Sequence, residues 1–331
     1  MIEPSGSPEL SRTVVQVQGL IKRFGHVTAL NDISIEVPRG AIYGFIGPSG
    51  CGKTTTIRCM IGNYRPTEGV VKVFDRTPES FSLSDKKRIG YMPQLFILYP
   101  ELSVWENLNF AASVYGYPLK RKARLQELLD LVELTGHERK LVRDISGGMQ
   151  RRLSLATTLI HDPELIFLDE PTAGIDPVLR RKFWDYFRQL RDDGHTLFVT
   201  TQYVGEAAYC DYVGVMAQGR LLMVETPADL RYKAMGGEIV RFHAASPLST
   251  KMITDLRALT FVIGELAFLD DQSVELIVKD ASTAIPRLLD WAEEEGFEIE
   301  AINQHVPPFD DVFVKIMEHE KNVQQEAVNS E

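Results

Sequence analysis

The fold is decided by the stretch Gly47-Pro48-Ser49-Gly50-Cys51-Gly52-Lys53-Thr54, which fits the pattern G-x-x-x-x-G-K-[ST]. The apolar run 41–46 before it is typical of a buried strand, and helical periodicity follows over residues 53–62. In that context the glycines let backbone N–H groups surround a phosphate chain at the positive end of a helix. A purely structural Gly-rich turn is the alternative, but it would need neither Lys53 nor Thr54. We therefore predict a phosphate-binding loop that extends to Thr55, with Lys53 on the outer phosphates and the Thr54 hydroxyl on Mg²⁺.

Further short apolar runs at 165–168 and 197–200 are each flanked by helical patterns. Strands that alternate with helices predict an α/β fold with a parallel sheet covered on both faces. Residues 101–160 have mostly helical spacing, so they are expected to form a helical lobe, at about 95–160, inserted into the α/β domain.

An acidic pair ends the second apolar run, in Leu165-Ile166-Phe167-Leu168-Asp169-Glu170. Asp169 is placed to hold Mg²⁺ through water, and Glu170 to act as the base for an attacking water molecule. A solvated strand end or a helix cap is the alternative for such a pair. The phosphate loop earlier in the chain favours the catalytic interpretation.

A second anion-binding helix start is predicted at Ser146-Gly147-Gly148-Met149-Gln150, where Ser146 is a candidate N-cap. One nucleotide does not need two such cradles in one chain. The simplest interpretation is that Ser146, Gly147, Gly148 and Gln150 serve a nucleotide held by another copy, so that ATP lies between two subunits related by twofold symmetry.

The phosphate loop, the signature at 146–150 and the acidic strand end at 168–170, in this order along the chain, resemble the ATP-binding cassette of ABC transporters over about residues 14–235. The resemblance implies a P-loop NTPase fold, ATP and Mg²⁺ as cofactors, and roles for three more residues. Phe24 would stack on adenine, although a core phenylalanine is the alternative. Gln94 would touch Mg²⁺ and the attacking water and sense the transporter partner, and Asp176 would couple the two opposed sites.

Two positions depart from the family pattern. Met149 stands where the signature most often has Gln, and we expect little consequence. Gln202 occupies the place of a switch histidine; its amide can donate to a phosphate oxygen but cannot become cationic. We expect a slow ATPase with weak pH dependence, although Gln202 could equally be a fully functional natural variant or a substitution that traps ATP.

The pattern changes after Gly236-Gly237 to strand, helix, two strands, helix and strand, which is the ferredoxin-like order. We predict a tail at 1–12, the cassette at 13–236, a small α+β accessory domain at 237–318 and a disordered tail at 319–331. The segment 307–313 resembles an element of drug and polysaccharide exporters, and its apolar residues would also suit a capping helix. The accessory domain is expected to tune dimerisation.

The charge distribution supports the same division. The chain has 331 residues and a net charge of −10, but residues 240–331 hold 7 basic and 18 acidic side chains, so the remainder is nearly neutral. Because the acidity lies in residues 240–331, the total charge does not constrain the cassette; the single cassette and the absence of long inserts argue against nucleic acid as a partner. Three cysteines without a spaced framework predict reduced thiols, and no apolar run is long enough to span a membrane.

The function that follows is an ATP-hydrolysing subunit that powers export of a drug, lipid or polysaccharide. Its expected partners are separately encoded transmembrane permease subunits and a second copy or a homologous cassette, at the cytoplasmic face of the inner membrane. Two alternatives stay open: a soluble ABC ATPase of translation or DNA repair, and the ATPase of an importer. The single cassette and the absence of long inserts between the motifs disfavour the first.

Overall fold

The computed structural model describes residues 13–329, which divide between Val224 and Glu225 into two compact units. The tail predicted at 1–12 and the last two residues lie outside the described range. The elements of the first unit, in chain order, are β1 (Thr13–Phe24), β2 (Val27–Pro38), β3 (Ile42–Ile46), α1 (Lys53–Met60), β4 (Glu68–Val73), α2 (Leu83–Lys87), β5 (Ile89–Met92), α3 (Val104–Val114), α4 (Lys122–Leu131), α5 (Gly147–Leu159), β6 (Leu165–Asp169), α6 (Pro177–Asp192), β7 (Thr196–Thr201), β8 (Tyr212–Ala217) and β9 (Arg220–Glu225).

Two sheets build this unit. A three-stranded antiparallel sheet has the order β2-β1-β4, and a six-stranded sheet has the order β5-β6-β7-β3-β8-β9. The five strands from β5 to β8 in this order are all parallel, as the alternation of strands and helices predicted. Because β3, β6 and β7 are neighbours, the loops that follow them meet at one edge of the sheet.

The core lies between the two sheets and around α1. Every residue of β3, β6 and β7 is buried, which explains why these strands read as continuous apolar runs and not as alternating ones. Helix α6 covers the sheet with the fully buried Trp184 and Phe187, and Trp184 stacks on Tyr209 at 5.3 Å between ring centroids.

Helices α3, α4 and α5 form the helical lobe, in the range predicted for it. The lobe begins with a capping box, in which Ser103 accepts from the Glu106 amide at 3.2 Å and Glu106 accepts from the Ser103 amide at 2.8 Å. The buried Asn107 then donates to the carbonyls of Tyr99, Leu102 and Ser103 and fixes the entering chain.

The second unit holds a four-stranded antiparallel sheet of order β11-β12-β10-β13. With a helix after its first and third strands, this is the split βαβ order that the sequence predicted. The strand expected at 263–269 shortens to two residues. The elements of this unit are α7 (Pro227–Met235), β10 (Glu238–Ala244), α8 (Thr250–Ala258), β11 (Ala267–Phe268), β12 (Ser273–Val278), α9 (Ala281–Glu294), β13 (Ile299–His305) and α10 (Phe309–Asn329).

Two predicted boundaries are corrected. The second unit begins at Glu225, because α7 packs on α10: Leu230 is buried, and the Arg231 guanidinium lies 3.8 Å from the centroid of the Phe309 ring. The disordered tail predicted from 319 is wrong as far as Asn329, since α10 continues there through a run rich in the helix formers Glu, Lys, Gln and Ala. Val312 and Ile316 form the buried face of α10, as expected of a capping helix.

Between Thr13 and Asn329, none of the helices has both the length and the apolar character needed to cross a membrane.

Candidate functional site

The phosphate loop leaves the buried strand β3 and enters α1 through two positions that exclude any side chain. A Cβ on Gly47 would lie 2.2 Å from the carbonyl oxygen of Met216. Gly52 has a φ of 112°, and its Cβ would lie 2.6 Å from Cδ2 of Leu30. Only glycine fits at these two positions, so the backbone N–H groups of the loop can approach a ligand closely.

Lys53 is folded back over this loop. Lys53 is 4% exposed, and its ammonium group donates to the carbonyl oxygens of Gly47 at 2.8 Å and Pro48 at 3.1 Å. It also lies 3.6 Å from Oε1 of Glu170. A buried positive charge therefore stands between the loop and the acidic pair, where the outer phosphates of a nucleotide would be.

Asp169 is fully buried at the end of β6 and is arranged to receive a cation. Its Oδ1 accepts from the hydroxyls of Thr54 at 3.0 Å and Thr200 at 2.7 Å. Within residues 13–329, Oδ2 is buried without a hydrogen-bond partner. A buried carboxylate oxygen without a donor is costly, so the residues present fit a hard divalent cation such as Mg²⁺.

Glu170 is 7% exposed, and its amide, carbonyl and carboxylate groups all make hydrogen bonds. Its φ of 52° is unusual for a residue with a side chain, and its amide donates to both the carbonyl and the hydroxyl oxygen of Thr200, each at 3.1 Å. Its Oε2 accepts from Nε2 of Gln94 at 3.1 Å, and its carbonyl oxygen accepts from the guanidinium of Arg151. The sequence-predicted pair Gln94 and Glu170 is thus in direct contact.

Gln202 lies at the phosphate loop, as the position of a switch residue implies. Its Oε1 accepts from the Ser49 hydroxyl at 2.8 Å, which leaves its amide nitrogen as the donor. Of the remaining loop residues, Cys51 is buried, and burial raises the pKa of its thiol, so it is neutral at physiological pH.

Phe24 is 44% exposed at the end of β1, so the alternative of a core phenylalanine is wrong. Its ring packs edge-on against Tyr64 at 5.3 Å between centroids, and the Lys22 ammonium lies 4.9 Å from its centroid. The exposed part of this aromatic ring is suited to stacking on a nucleotide base.

The signature residues form a separate helix start. Ser146 caps α5 by accepting from the Met149 amide at 3.3 Å, and space is open where a Cβ would stand on Gly147 or Gly148. No hydrogen bond among residues 13–329 joins these residues to the phosphate loop. The side-chain nitrogen of Gln150 donates to the carbonyls of Val142 and Ile145, so this residue shapes the helix start; its predicted contact with nucleotide stays a prediction.

Asp176 is exposed at the start of α6, where its Oδ1 accepts from the amides of Val178 at 3.1 Å and Leu179 at 3.0 Å. This N-cap fixes the loop from Ala173 to Asp176 at the surface. The predicted coupling role of Asp176 needs a second copy and stays a prediction.

Sequence reasoning missed Thr200 and Arg151. Thr200 faces Asp169 because β6 and β7 pair in register at those two residues, a relationship that strand pairing alone reveals. Arg151 follows the signature within a predicted helix, and its Cζ lies 5.2 Å from the Phe96 ring centroid. Burial lowers the pKa of Arg151, although an arginine in this setting stays cationic.

Together, the glycine loop, the buried lysine, the acidic pair and the separate signature helix define a nucleotide-binding ATPase cassette. The model of the ABC transporter family matches residues 30–173. The chain is 33% identical over 321 residues to the daunorubicin resistance ATP-binding protein DrrA3 of Streptomyces coeruleorubidus, covering 96% of this chain and 100% of that protein. It therefore belongs to the ATP-binding proteins of the ABC transporter family, with their P-loop NTPase fold.

Two further similarities extend this result. The chain is 36% identical over 237 residues to the probable multidrug ABC transporter ATP-binding protein YbhF of Escherichia coli; the match covers 70% of this chain but only 40% of the length of that relative. Among solved structures, it is similar to an ATP-binding cassette in a dimeric, post-hydrolysis state bound to ADP and Pi, with a TM-score of 0.60, 25% identity and coverage of 64% of this chain and 98% of that one.

Proposed function

We propose that this chain is the ATP-binding and ATP-hydrolysing subunit of an exporter, working as a dimer on a separately encoded membrane permease. The observation that carries the proposal is the presence of two anion cradles that do not touch: the glycine loop with Lys53, and the helix start at Ser146–Gly148. The names of the relatives support export, since DrrA3 is a drug resistance protein and YbhF a probable multidrug transporter component. The substrate would be of the drug, lipid or polysaccharide type.

The chemistry assigned to the site is hydrolysis of the outer phosphate of ATP. The loop N–H groups and Lys53 bind the phosphate chain, and Phe24 stacks on the base. Glu170 takes a proton from the attacking water, while the side-chain amides of Gln94 and Gln202 orient that water and the phosphate. Thr54, Asp169 and Gln94 would hold Mg²⁺, which neutralises charge on the phosphates.

We infer a dimer because the signature helix start of one chain does not reach the phosphate loop of the same chain. The open helix start at Ser146 would close over the nucleotide of a second copy, and the exposed Asp176 would face that copy. The similarity to a cassette solved as a dimer supports this arrangement. Hydrolysis would then reopen the dimer, and the opening and closing would move the permease.

The permease is expected to dock on an apolar groove between the sheet and the helical lobe. A cavity of about 200 Å³ there is lined by residues that include Ile97, Tyr99, Phe110 and Val114. Ile97 is 76% exposed and Val114 65%, which is unusual for a surface without a partner. The groove adjoins Gln94, which donates to the carboxylate of Glu170. Docking of the permease would therefore shift the catalytic base through this hydrogen bond. Docking would place the chain at the cytoplasmic face of the inner membrane.

Purification of the tagged chain from membranes of its own cell tests the proposal, with the partner identified by mass spectrometry. A membrane permease should accompany the wild type, and Ile97→Glu should abolish its recovery by placing a charge in the groove. Leu83→Glu is the matched control, because Leu83 is 81% exposed but does not line that cavity. Recovery of ribosomes or DNA in place of a permease would contradict the proposal, and a periplasmic binding protein in the complex would favour import.

A further inference from the structure

Arg151 connects three parts of the cassette that belong to different elements. It lies in the second turn of α5, the helix that begins at the signature. Its guanidinium donates to the backbone carbonyl of Glu170, beyond the end of β6, and lies over the ring of Phe96, two residues after Gln94. One side chain of the helical lobe thus touches both the catalytic base and the loop that carries Gln94.

The contact acts on the backbone of Glu170 and not on its carboxylate. The remaining restraints on this backbone come from Thr200 at the amide and from the Ala173 amide, which donates to the same carbonyl at 3.3 Å. Thr200 belongs to the rigid sheet, whereas Arg151 belongs to the helical lobe. A φ of 52° is unfavourable for a residue with a side chain, so the conformation of Glu170 depends on these restraints.

Arg151 has no salt bridge of its own within residues 13–329, although the carboxylates of Glu170 and Asp169 are near enough to interact with its charge. A half-buried guanidinium that is satisfied by a carbonyl and an aromatic face depends on the placement of both. We propose that Arg151 is a positioning residue that makes the orientation of Glu170 depend on the placement of the helical lobe and of the Gln94 loop.

This role rests on the proposed function, since it concerns the base of the ATPase reaction and the loop next to the permease groove. Movement of the helical lobe would change two hydrogen bonds of Glu170. One joins its carboxylate to Gln94, and the other joins its backbone carbonyl to Arg151. Closure of the dimer and docking of the permease would therefore set the orientation of Glu170 before it takes a proton from water.

The test uses Arg151→Met, which keeps an unbranched apolar side chain but removes the charge and the donors, and Arg151→Lys, which restores the charge and one donor group. Arg152→Met is the matched control: the neighbouring Arg152 donates to the carbonyls of Val132 and Glu133, inside the helical lobe. Two quantities are measured on the full chain with ATP and Mg²⁺, the split between kcat and KM and the hydrogen–deuterium exchange of segment 170–175.

We expect Arg151→Met to lower kcat by about tenfold to 100-fold with KM within about twofold, because a displaced base costs rate and not binding. Arg151→Lys should recover part of that rate, and exchange in segment 170–175 should rise in Arg151→Met but not in Arg152→Met. The proposal is overturned if segment 170–175 exchanges alike in wild type and Arg151→Met, or if Arg152→Met loses as much kcat. If the wild type hydrolyses no ATP, the proposed function fails, and the exchange measurement alone still decides the positioning role.

Discussion

The hydroxyl of Ser49 donates a hydrogen bond to the side-chain oxygen of Gln202 at 2.8 Å. The two residues are 153 positions apart in sequence, but they follow β3 and β7, which are parallel neighbours, so their loops meet. Because its oxygen is occupied, Gln202 presents its amide nitrogen as a donor. In its predicted role as the switch residue, Gln202 would therefore offer phosphate a neutral donor.

Replacing the neutral amide of Gln202 by an imidazole, which can become cationic, should speed hydrolysis. We expect Gln202→His to raise kcat by about tenfold, since a positioned acid–base group contributes at least that much. The variant should lose this gain as pH rises through about 6.5, where imidazolium deprotonates, while the wild type stays flat. Steady-state turnover between pH 5.5 and 8.5 measures both effects. An unchanged or lower rate in Gln202→His would show that glutamine is no handicap.

The exposed ring of Phe24 should contribute to ATP binding by stacking on the base and should not contribute to phosphate binding. Phe24→Ala is expected to weaken ATP binding by about 1–3 kcal/mol, the range for stacking of a base on an aromatic side chain. Phe24→Trp keeps the stacking surface and should bind ATP as well as the wild type. Calorimetric titration with ATP and with inorganic tripolyphosphate separates base from phosphate contacts. Equal weakening for both ligands in Phe24→Ala would contradict the assignment.

An ion pair at the start of β5 should make stability depend on pH. Hydrogen bonds from Arg88 at 2.6 and 3.0 Å hold the pKa of Glu164 below its ordinary 4.5. A lowered folded-state pKa stabilises the fold above about pH 4.5, and that stability is lost as pH falls through the lowered value.

Glu164→Gln should therefore be less stable than the wild type at pH 7, by about 1 kcal/mol or less because the pair is partly exposed. The difference should shrink below pH 4.5. Urea midpoints from pH 3 to pH 7 measure it, with Glu127→Gln, a more exposed partner of Arg124, as the control. A difference that is constant over this range would mean that the ion pair is not its cause.

The boundary between the units determines how the accessory domain should be removed. Deleting residues 240–331 leaves α7 without α10 and exposes Leu230, which is 2% exposed in the intact chain. Deleting 225–331 removes α7 and α10 together, and we expect this chain to melt at a higher temperature than the 240–331 deletion. The 225–331 deletion should also weaken ATP-dependent dimerisation, as measured by analytical ultracentrifugation. Unchanged dimer affinity and ATPase rate would rule out a role for this domain in tuning the dimer.

Much of the site was predictable because its chemistry is local in sequence. The glycine loop with Lys53 and the acidic pair are each recognisable from a few consecutive residues. Each also follows a continuously apolar strand. The parallel sheet then brings the ends of β3, β6 and β7 together, so that Thr54 and Asp169 meet at 3.0 Å.

What the sequence did not predict depends on packing between distant elements. Thr200 serves Asp169 through strand register, and Arg151 reaches Glu170 through the docking of the helical lobe; neither contact leaves a local pattern. The place of α7 was missed for the same reason, because Leu230 is buried by a helix that begins at Phe309. Polar residues after 318 suggested disorder, although the apolar face of α10 had already started a helix that continues through them.

The central claim is that Glu170 is the base of an ATP hydrolysis reaction that occurs between two copies of this chain. The most direct measurement compares wild type and Glu170→Gln for ATP turnover and for ATP-dependent dimerisation, in the presence of Mg²⁺. Glu170→Gln should lower turnover by about 100-fold or more, the contribution expected of a general base, and should accumulate as an ATP-bound dimer. Turnover within about twofold of the wild type, or a variant that stays monomeric with saturating ATP, would contradict the claim.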